Sequence, residues 1–393
     1  MGSKTALLGG PLGEILLREA SGARRFVDLF AGSGAVAHFV SQKTDLPVLS
    51  VDLQEYARVL TAAITERTTS LAGDTSLKAW ISAASARAES SDQTELTAAA
   101  VKQARAEASA TGEGFITRHY GGYYFSPGQA RMLDYLHSTL PESEPVRTVA
   151  LSALLQAASV CAAAPGHTAQ PFQPTKSLLP YIATAWSRSV TSAVSTAVEQ
   201  IAPAFARQRG TALVGDAGSI VATLDDGDLV FCDPPYSAAQ YSRFYHVLEG
   251  IARGGWDDVT GSGRAPDRSS RKTSDFSMKS KARAAMKGLL DGLRIRGCRA
   301  VVTFPDADAS NGLSGQEVIA MATRDWSVEA HYVESIHSTL GGSSDGGTRG
   351  GRKKLKEAVI VLTPRSPVLE LPLVLSQHRQ MPDQRPTTAA LSA

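Results

Sequence analysis

The stretch Asp228-Leu-Val-Phe-Cys-Asp-Pro-Pro-Tyr236 decides how the rest of the chain is interpreted. Its apolar run, Leu229 to Cys232, predicts a short buried strand. Pro234 and Pro235 cannot continue a central strand, because each lacks the N–H group that the ladder needs. The chain must therefore leave the sheet in a stiff turn that carries a carboxylate, carbonyl groups and an aromatic ring. In open α/β sheets, ligands bind at this carboxyl end of the strands.

The groups of this turn suit the chemistry of a planar amine. The exocyclic nitrogen of a nucleobase is a poor nucleophile, because its lone pair is delocalised into the ring. Hydrogen bonds from its two N–H groups to Asp233 and to the carbonyl of Pro234 would free that lone pair. Tyr236 can stack on the base and hold it. The same residues are also consistent with a Pro-rich surface turn and an exposed tyrosine.

The motif and its continuation resemble a known family. Asp-Pro-Pro-Tyr is the catalytic motif of amino-methylating, S-adenosylmethionine-dependent methyltransferases, and its Asp form suggests the adenine-specific DNA enzymes. The following Gln240-Tyr241 and Tyr245-His-Val-Leu-Glu249 are similar to those of Dam-type and related type II adenine methyltransferases. The resemblance implies that Asp233 to Tyr236 are catalytic. We interpret Tyr245, His246 and Glu249 as markers of the family rather than as catalytic residues.

A glycine turn near the N-terminus predicts a nucleotide-binding site. Phe26 to Phe30 is a predicted strand that contains Asp28, and Ala31-Gly32-Ser33-Gly34 follows before a helix. Glycines let the backbone approach a ligand closely, and the free N–H groups of the helix favour a polar group. A second strand, Leu46 to Val51, ends in Asp52, and an acid there can bind both ribose hydroxyls. By itself this pattern fits either a nicotinamide dinucleotide or S-adenosylmethionine.

The resemblance selects S-adenosylmethionine as the cofactor and implies its contacts. Lys4, in a Gly-x-Lys element, would pair with the methionine carboxylate, although a frayed terminus is the alternative. Asp216, the acid that ends the short strand in the stretch Leu213 to Ala217, would contact the adenine amine, and an exposed loop carboxylate is the alternative. The predicted cofactor residues are Lys4, Asp28, Phe30, Gly32, Gly34, Asp52, Asp216 and Asp233.

Bulk properties exclude several classes of protein. The 393 residues carry a net charge of only +2, so local charge must account for any polyanion partner. The sequence contains no run of eighteen apolar residues, so no membrane span is expected, and no signal peptide is recognised at the N-terminus. Three scattered cysteines argue for reduced thiols and against a structural zinc site, and we predict no metal. The expected location is the cytoplasm, in association with the nucleoid.

The region from residue 57 to 209 is predicted to be a largely helical insertion. Ala, Ser and Thr dominate Ala57 to Ala110, and Gln129 to Leu140 and Thr148 to Ala163 have clear helical patterns. The aromatic stretch Phe115 to Pro127 is interpreted as a core segment, with a loop that touches nucleic acid as the alternative. The loop Pro165 to Phe172 fits either a helix connector or a DNA contact.

Two basic segments follow the catalytic turn. Between Arg264 and Lys287 there are eight Arg or Lys residues and two Asp, and Leu340 to Lys356 is a second Gly-rich basic segment. The first segment is predicted to be too polar to pack. Both suit phosphate contacts, which add affinity without sequence information, and for the first segment a solvated loop is the alternative.

These features together predict an α/β protein with a Rossmann-like methyltransferase sheet, mostly parallel with a terminal antiparallel hairpin. Residues 1–56 and 210–365 would form the catalytic domain, 57–209 a target-recognition region and 366–393 a tail. The predicted activity is methylation of the adenine amine in double-stranded DNA, with the base flipped out of the duplex. A cognate restriction endonuclease or a defence-system protein is the expected partner, and no membrane is expected. The alternatives are amino methylation of RNA or protein and an inactive DNA-binding subunit.

Overall fold

The chain folds around a central sheet. The computed structural model describes residues 4–87, 96–110, 114–237, 240–337 and 353–365. The strands of this sheet are β1 (Arg25–Asp28), β2 (Val48–Asp52), β3 (Thr211–Val214), β4 (Asp228–Cys232), β5 (Arg299–Pro305), β6 (Trp326–His337) and β7 (Lys353–Pro364).

The strand order explains where a ligand can bind. It runs β3-β2-β1-β4-β5-β7-β6, and β1 to β5 are parallel whereas β7 is antiparallel to both of its neighbours. The predicted class and the terminal antiparallel hairpin are therefore confirmed. The chain proceeds outward from β1 to β3 and then returns to place β4 on the other side of β1. This reversal opens a crevice at the carboxyl ends of β1 and β4.

Alternating residues of the central strands face opposite sides of the sheet, as the strand period of two requires. Val230 and Cys232 of β4 pack in one apolar cluster, and Leu229 and Phe231 pack in another. Helices cover both faces, so the fold has three layers. The predicted strand ends differ in detail, because β6 and β7 pair over twelve residues and extend well beyond the predicted 326–333 and 357–362.

Helices form the two outer layers and the insertion. In chain order, α1 to α16 span Thr5–Leu8, Pro11–Ala20, Ala35–Lys43, Glu55–Thr65, Thr75–Ser85, Ala98–Ala110, Phe115–Tyr120, Pro127–Ser138, Val146–Cys161, Leu179–Trp186, Val190–Ile201, Ala217–Val221, Tyr241–Phe244, His246–Arg253, Ala282–Ile295 and Gly315–Ala322. Buried residues of α15 recur at Met286, Leu289, Leu290 and Leu293, the spacing of one helix face. Among the helices of the described ranges, none is long and apolar enough to cross a membrane.

The insertion is built on helices of the sheet domain. Its core joins α9 and α11 to α4 and α14, and the predicted boundary at residue 56 falls inside α4. In the aromatic stretch, Tyr120, Tyr124 and Phe125 are fully buried, which agrees with the core interpretation. The division into domains stays a prediction.

The first basic segment packs, contrary to our expectation. It contains a bridge between Thr260 and Ala265 and two short 3-10 helices, Arg268–Ser270 and Asp275–Ser277. Its apolar anchor is Phe276, which is buried and meets the ring of Phe30 edge-on at 5.1 Å. A few buried side chains are thus enough to hold a segment whose composition is polar. Most of the second basic segment and the tail lie outside the described residues.

Candidate active site

A cavity of about 420 Å³ opens at the carboxyl ends of β1, β2 and β4. Its size falls within the range of roughly 300–1,000 Å³ that is usual for small-molecule sites. Most of the predicted site residues line it, namely Lys4, Phe30, Gly32, Asp52, Asp216, Asp233, Pro234, Pro235 and Tyr236. Parallel strands bring these residues together although they are far apart in sequence.

The glycine turn and Asp52 form one half of the cavity. Gly32 has a φ of +52°, a backbone conformation that favours glycine. Its N–H donates to Oδ2 of Asp52 at 2.9 Å, and the N–H of Gln54 donates to Oδ1 at 3.0 Å. A carboxylate has about four acceptor positions, so Asp52 keeps capacity for two further donors such as ribose hydroxyls. The donor set of this half therefore fits a nucleoside.

Asp28 and Gly34 support the glycine turn on the side away from the cavity. Neither residue belongs to the cavity wall in the part of the chain that the structure describes. Asp28 is buried and accepts a hydrogen bond from the N–H of Phe30 at 3.2 Å. Burial raises the pKa of Asp28 to about 8. Gly34 begins α3 with a φ of +79°, and a Cβ atom there would lie 2.9 Å from the ring of His38. Both residues shape the site without facing it.

The far wall of the cavity combines Asp216 with aromatic rings. Asp216 follows β3, and its Oδ1 accepts from the N–H of Ser219 at 3.2 Å, so the side chain also caps α12. Phe30, Tyr56 and Phe276 contribute flat apolar surfaces. An acid beside aromatic rings suits a planar base with an exocyclic amine.

The turn after β4, Asp233 to Tyr236, which the resemblance predicts to be catalytic, forms the other half, and Asp233 is its centre. Oδ1 of Asp233 lies 3.0 Å from Nζ of Lys4 and accepts a hydrogen bond from the hydroxyl of Thr303 at 2.8 Å. Lys4 also forms an ion pair with Glu357 of β7. The sequence predicts a cofactor carboxylate as the partner of Lys4, whereas the structure pairs its ammonium group with two carboxylates of the protein.

The backbone of the turn is fixed by Asn311. Its Nδ2 donates to the carbonyl of Pro235 at 3.2 Å, and its backbone N–H donates to the carbonyl of Tyr236 at 3.3 Å. The described residues provide no donor to the carbonyl of Pro234, so this oxygen is available within that part of the chain. The Tyr236 ring lines the cavity and packs against Phe304 at 6.2 Å.

The cavity is acidic overall. Five carboxylates and two lysines are among its lining residues: Asp52, Asp216, Asp233, Glu334 and Glu357, with Lys4 and Lys272. Burial raises the pKa of Asp233, and Glu357 raises it further against the opposing effect of Lys4. Burial by itself would lower the pKa of Lys4, but attraction to the two carboxylates raises it overall. An excess of carboxylates favours a ligand that carries positive charge.

Sequence reasoning missed three residues that contact either the turn or its partner Lys4. Thr303, Asn311 and Glu357 lie on or after β5 and on β7, far from the recognised motifs. Glu357 gave the one local signal, because a lone acid opens the apolar run Ala358 to Leu362. Glu249, interpreted as a family marker, has a structural role: its Oε2 accepts from the N–H of Tyr56 at 3.0 Å and fixes the start of α4. The described residues contain no group of three or more side chains that could hold a metal ion.

Comparison with known proteins gives two relatives. The chain is 32% identical over 137 residues to modification methylase LlaI of Lactococcus lactis subsp. lactis, a match that covers 34% of this chain and 20% of the relative. It is 35% identical over 78 residues to modification methylase StsI of Streptococcus sanguinis, which covers 20% of this chain and 12% of the relative. The chain thus spans about a fifth or less of the length of the curated relatives that it matches.

A family comparison covers far more of the chain. The sequence profile of the D12 class N6 adenine-specific DNA methyltransferases matches residues 1–291. The matched range includes the glycine turn, Asp52 and the whole catalytic turn, and it ends before β5. The chain therefore belongs to the D12 class N6 adenine-specific DNA methyltransferase family.

Proposed function

We propose that this protein transfers a methyl group from S-adenosylmethionine to the exocyclic N6 amine of adenine in double-stranded DNA. Methyltransferases of this family generally use S-adenosylmethionine. The observation that carries the proposal is the placement of Asp233 and the Pro234 carbonyl in the same cavity as Asp52 and Gly32. The groups that would accept hydrogen bonds from the amine and the residues that would bind the nucleoside therefore line the same cavity.

The cofactor would occupy the half of the cavity that Asp52 and the glycine turn form. Asp52 would accept from the ribose hydroxyls, and Asp216 would accept from the adenine amine. S-adenosylmethionine supplies, when bound, a methyl group on a positively charged sulfur. The excess of carboxylates around the cavity would favour that positive charge over a neutral ligand.

The target base would enter the other half after leaving the duplex. Tyr236 would stack on it, while Asp233 and the carbonyl of Pro234 accept from the two N–H groups of N6. These hydrogen bonds strengthen as the nitrogen loses planarity, so they favour the transition state over the bound substrate. The raised pKa of Asp233 makes its carboxylate a suitable acceptor for the proton that the methylated nitrogen releases.

A cluster of cations beside the cavity supports DNA as the substrate. Lys272 lines the cavity, and the N–H of Ser274 donates to Oε1 of Gln240 at 3.2 Å, which ties this segment to the start of α13. Burial lowers the pKa of Arg271, and the charges of Arg243 and Arg268 lower it further. In the described part of the chain, Nε of Arg271 is buried without a hydrogen-bond partner. Crowded cations that lack a carboxylate within salt-bridge distance suit phosphate groups.

We infer that the insertion takes part in target recognition, and its contacts with the first basic segment support this. The hydroxyl of Tyr124 donates to the carbonyl of Gly263 at 2.8 Å, and Nε of Arg264 donates to the carbonyl of His119 at 2.8 Å. Arg105 of the insertion and Arg264 of the basic segment both stack on the ring of Tyr123, with guanidinium carbons 4.5 and 5.0 Å from its centre. We therefore infer that the insertion and the basic segment meet the DNA as one surface. The names of both relatives support a restriction or defence-system partner.

Transfer of tritiated methyl groups to duplex DNA tests the proposal. Wild-type protein should label the DNA, and digestion to nucleosides should place the label in N6-methyladenine. Sequencing of DNA from cells that express the protein should reveal the recognition site. Label in RNA or protein would support the other substrates, and cofactor binding without any transfer would support an inactive subunit.

A further inference from the structure

Glu357 is a buried carboxylate in the wall of the cavity. It lies on β7, opposite Pro305 of β5 and Val333 of β6, and its side chain is fully buried. It lies outside the range 1–291 that the family profile matches. A buried charge is costly unless a partner of opposite charge compensates it. A role for this carboxylate should therefore be found in its contacts.

The contact that matters here is the ion pair with Lys4. Nζ of Lys4 touches Glu357 on one side and lies 3.0 Å from Oδ1 of Asp233 on the other. Thr303 donates to the same Oδ1 at 2.8 Å from β5. Both of these contacts fall on one oxygen of Asp233, so within the described part of the chain Oδ2 keeps its capacity to accept hydrogen bonds. The orientation of the catalytic carboxylate thus depends on where Lys4 is held.

We propose that Glu357 is a positioning residue for methyl transfer, which holds the ammonium group of Lys4 so that Lys4 and Thr303 fix Oδ1 of Asp233 and leave Oδ2 to accept from the amine. This inference rests on the proposed role of Asp233. An ammonium group has three donors, so two carboxylates can share Lys4 without exhausting it.

Sharing also keeps Asp233 a good acceptor. If Lys4 served Asp233 alone, its full charge would stabilise the carboxylate and weaken it as a base. Glu357 takes part of that charge, and its own charge raises the pKa of Asp233. The titratable groups that interact with Asp233 from the surrounding elements are Lys4, Asp28, Cys232, Tyr236, Tyr241 and Glu357.

The substitution Glu357→Gln tests this inference, because it removes the charge and retains the shape. The kcat should fall about 10- to 100-fold, since small misplacements of a catalytic group have effects of this size. The KM values for DNA and cofactor should change little. Loss of the negative charge lowers the pKa of Asp233, so the acid limb of the kcat/KM profile should move to lower pH. Lys4→Gln should move that limb to higher pH.

Glu329→Gln is the matched control, since Glu329 lies on the neighbouring β6 but is exposed and pairs with Arg18 at 2.9 Å. It should leave kcat and the pH profile unchanged. The inference is overturned if folded Glu357→Gln protein keeps the wild-type kcat and acid limb, or if it only loses thermal stability. If the Glu357→Gln protein does not fold, the Lys4→Gln protein provides the test. The inference is then overturned if the acid limb of the kcat/KM profile of Lys4→Gln lies at the wild-type pH. Failure of the proposed function would differ, because wild-type protein would then not methylate adenine.

Discussion

Asp52 ends β2 and Asp233 follows β4, the two parallel strands on either side of β1, and both residues line one cavity, yet their surroundings differ. Asp52 accepts from two backbone N–H groups, those of Gly32 and Gln54. Asp233 is held by side chains, the ammonium group of Lys4 and the hydroxyl of Thr303. Backbone donors are held in place by the fold, which suits a residue that only binds a ligand. Side-chain partners have neighbours of their own, and these neighbours can change the orientation and the pKa of the carboxylate. On the proposed function, the two carboxylates would divide the work, with Asp52 binding the cofactor and Asp233 taking part in the chemistry.

Asp233→Ala should have the largest effect and should fall on turnover. Loss of a preorganised hydrogen bond to a reacting group typically costs about 100- to 1,000-fold in kcat. Single-turnover methyl transfer with saturating cofactor and DNA measures it, and circular dichroism confirms folding. Cofactor affinity should change far less than kcat. A folded variant that transfers methyl groups at nearly the wild-type rate would remove Asp233 from the chemistry.

Asp52→Ala should show the opposite pattern. The buried donors that it satisfies would lose their acceptor, together with the ribose hydroxyls, at a cost of roughly 1–3 kcal/mol in cofactor binding. Calorimetric titration with S-adenosylmethionine gives this value directly. At saturating cofactor, kcat should recover most of its wild-type value. The proposed difference between the two carboxylates would be wrong if Asp52→Ala left the Kd for S-adenosylmethionine unchanged. It would also be wrong if saturating S-adenosylmethionine did not restore the kcat of this variant.

Cations offer a second comparison, between those that have a carboxylate within salt-bridge distance in the described part of the chain and those that do not. Replacing both Arg271 and Lys272 by Gln should reduce the slope of log affinity against log salt by about two units and weaken binding to all duplexes alike. The control replaces Lys281 and Lys287, which pair with Asp275 at 3.1 Å and with Asp291 at 2.6 Å. Fluorescence anisotropy at several salt concentrations measures both.

The control pair should change the slope less than the cavity pair. Equal changes would mean that the whole segment acts as a diffuse positive surface. An effect restricted to the preferred site would mean that Arg271 and Lys272 contact bases rather than phosphates.

Asp28→Asn should have the smallest effect, on stability and not on binding. Burial raises the pKa of Asp28 from 3.8 to about 8 in the folded protein. The stabilising contribution of the protonated form is therefore complete below the unfolded pKa and is lost as pH rises through about 8. The wild-type Tm should fall between pH 5 and 9 more than that of the variant. If the plots of Tm against pH for the wild type and for Asp28→Asn run parallel, Asp28 is not protonated in the folded protein.

The sequence was sufficient for features that local chemistry dictates. The prolines ended β4, the glycines turned the chain after β1, and the mostly parallel sheet with a terminal antiparallel hairpin followed from the resemblance. The network of residues around Asp233 could not be predicted from the sequence, because the Lys4–Glu357 contact joins residues that are 353 positions apart. Whether Glu357 or a neighbour faces the cavity depends on the register of β7 against β5, which no local pattern reveals. Composition misled us about the basic segment, since one buried ring, Phe276, outweighed many exposed charges.

The ion pair between Lys4 and Glu357 has a consequence for biosynthesis. A ribosome makes Lys4 first, Asp233 in the middle and Glu357 only after most of the chain has emerged. A nascent or prematurely terminated chain can contain both sequence motifs and still lack the residue that holds Lys4 in place. On the inference above, efficient methylation then begins only when β7 has been synthesised and inserted between β5 and β6. DNA modification by this protein would thus report that translation has passed residue 357.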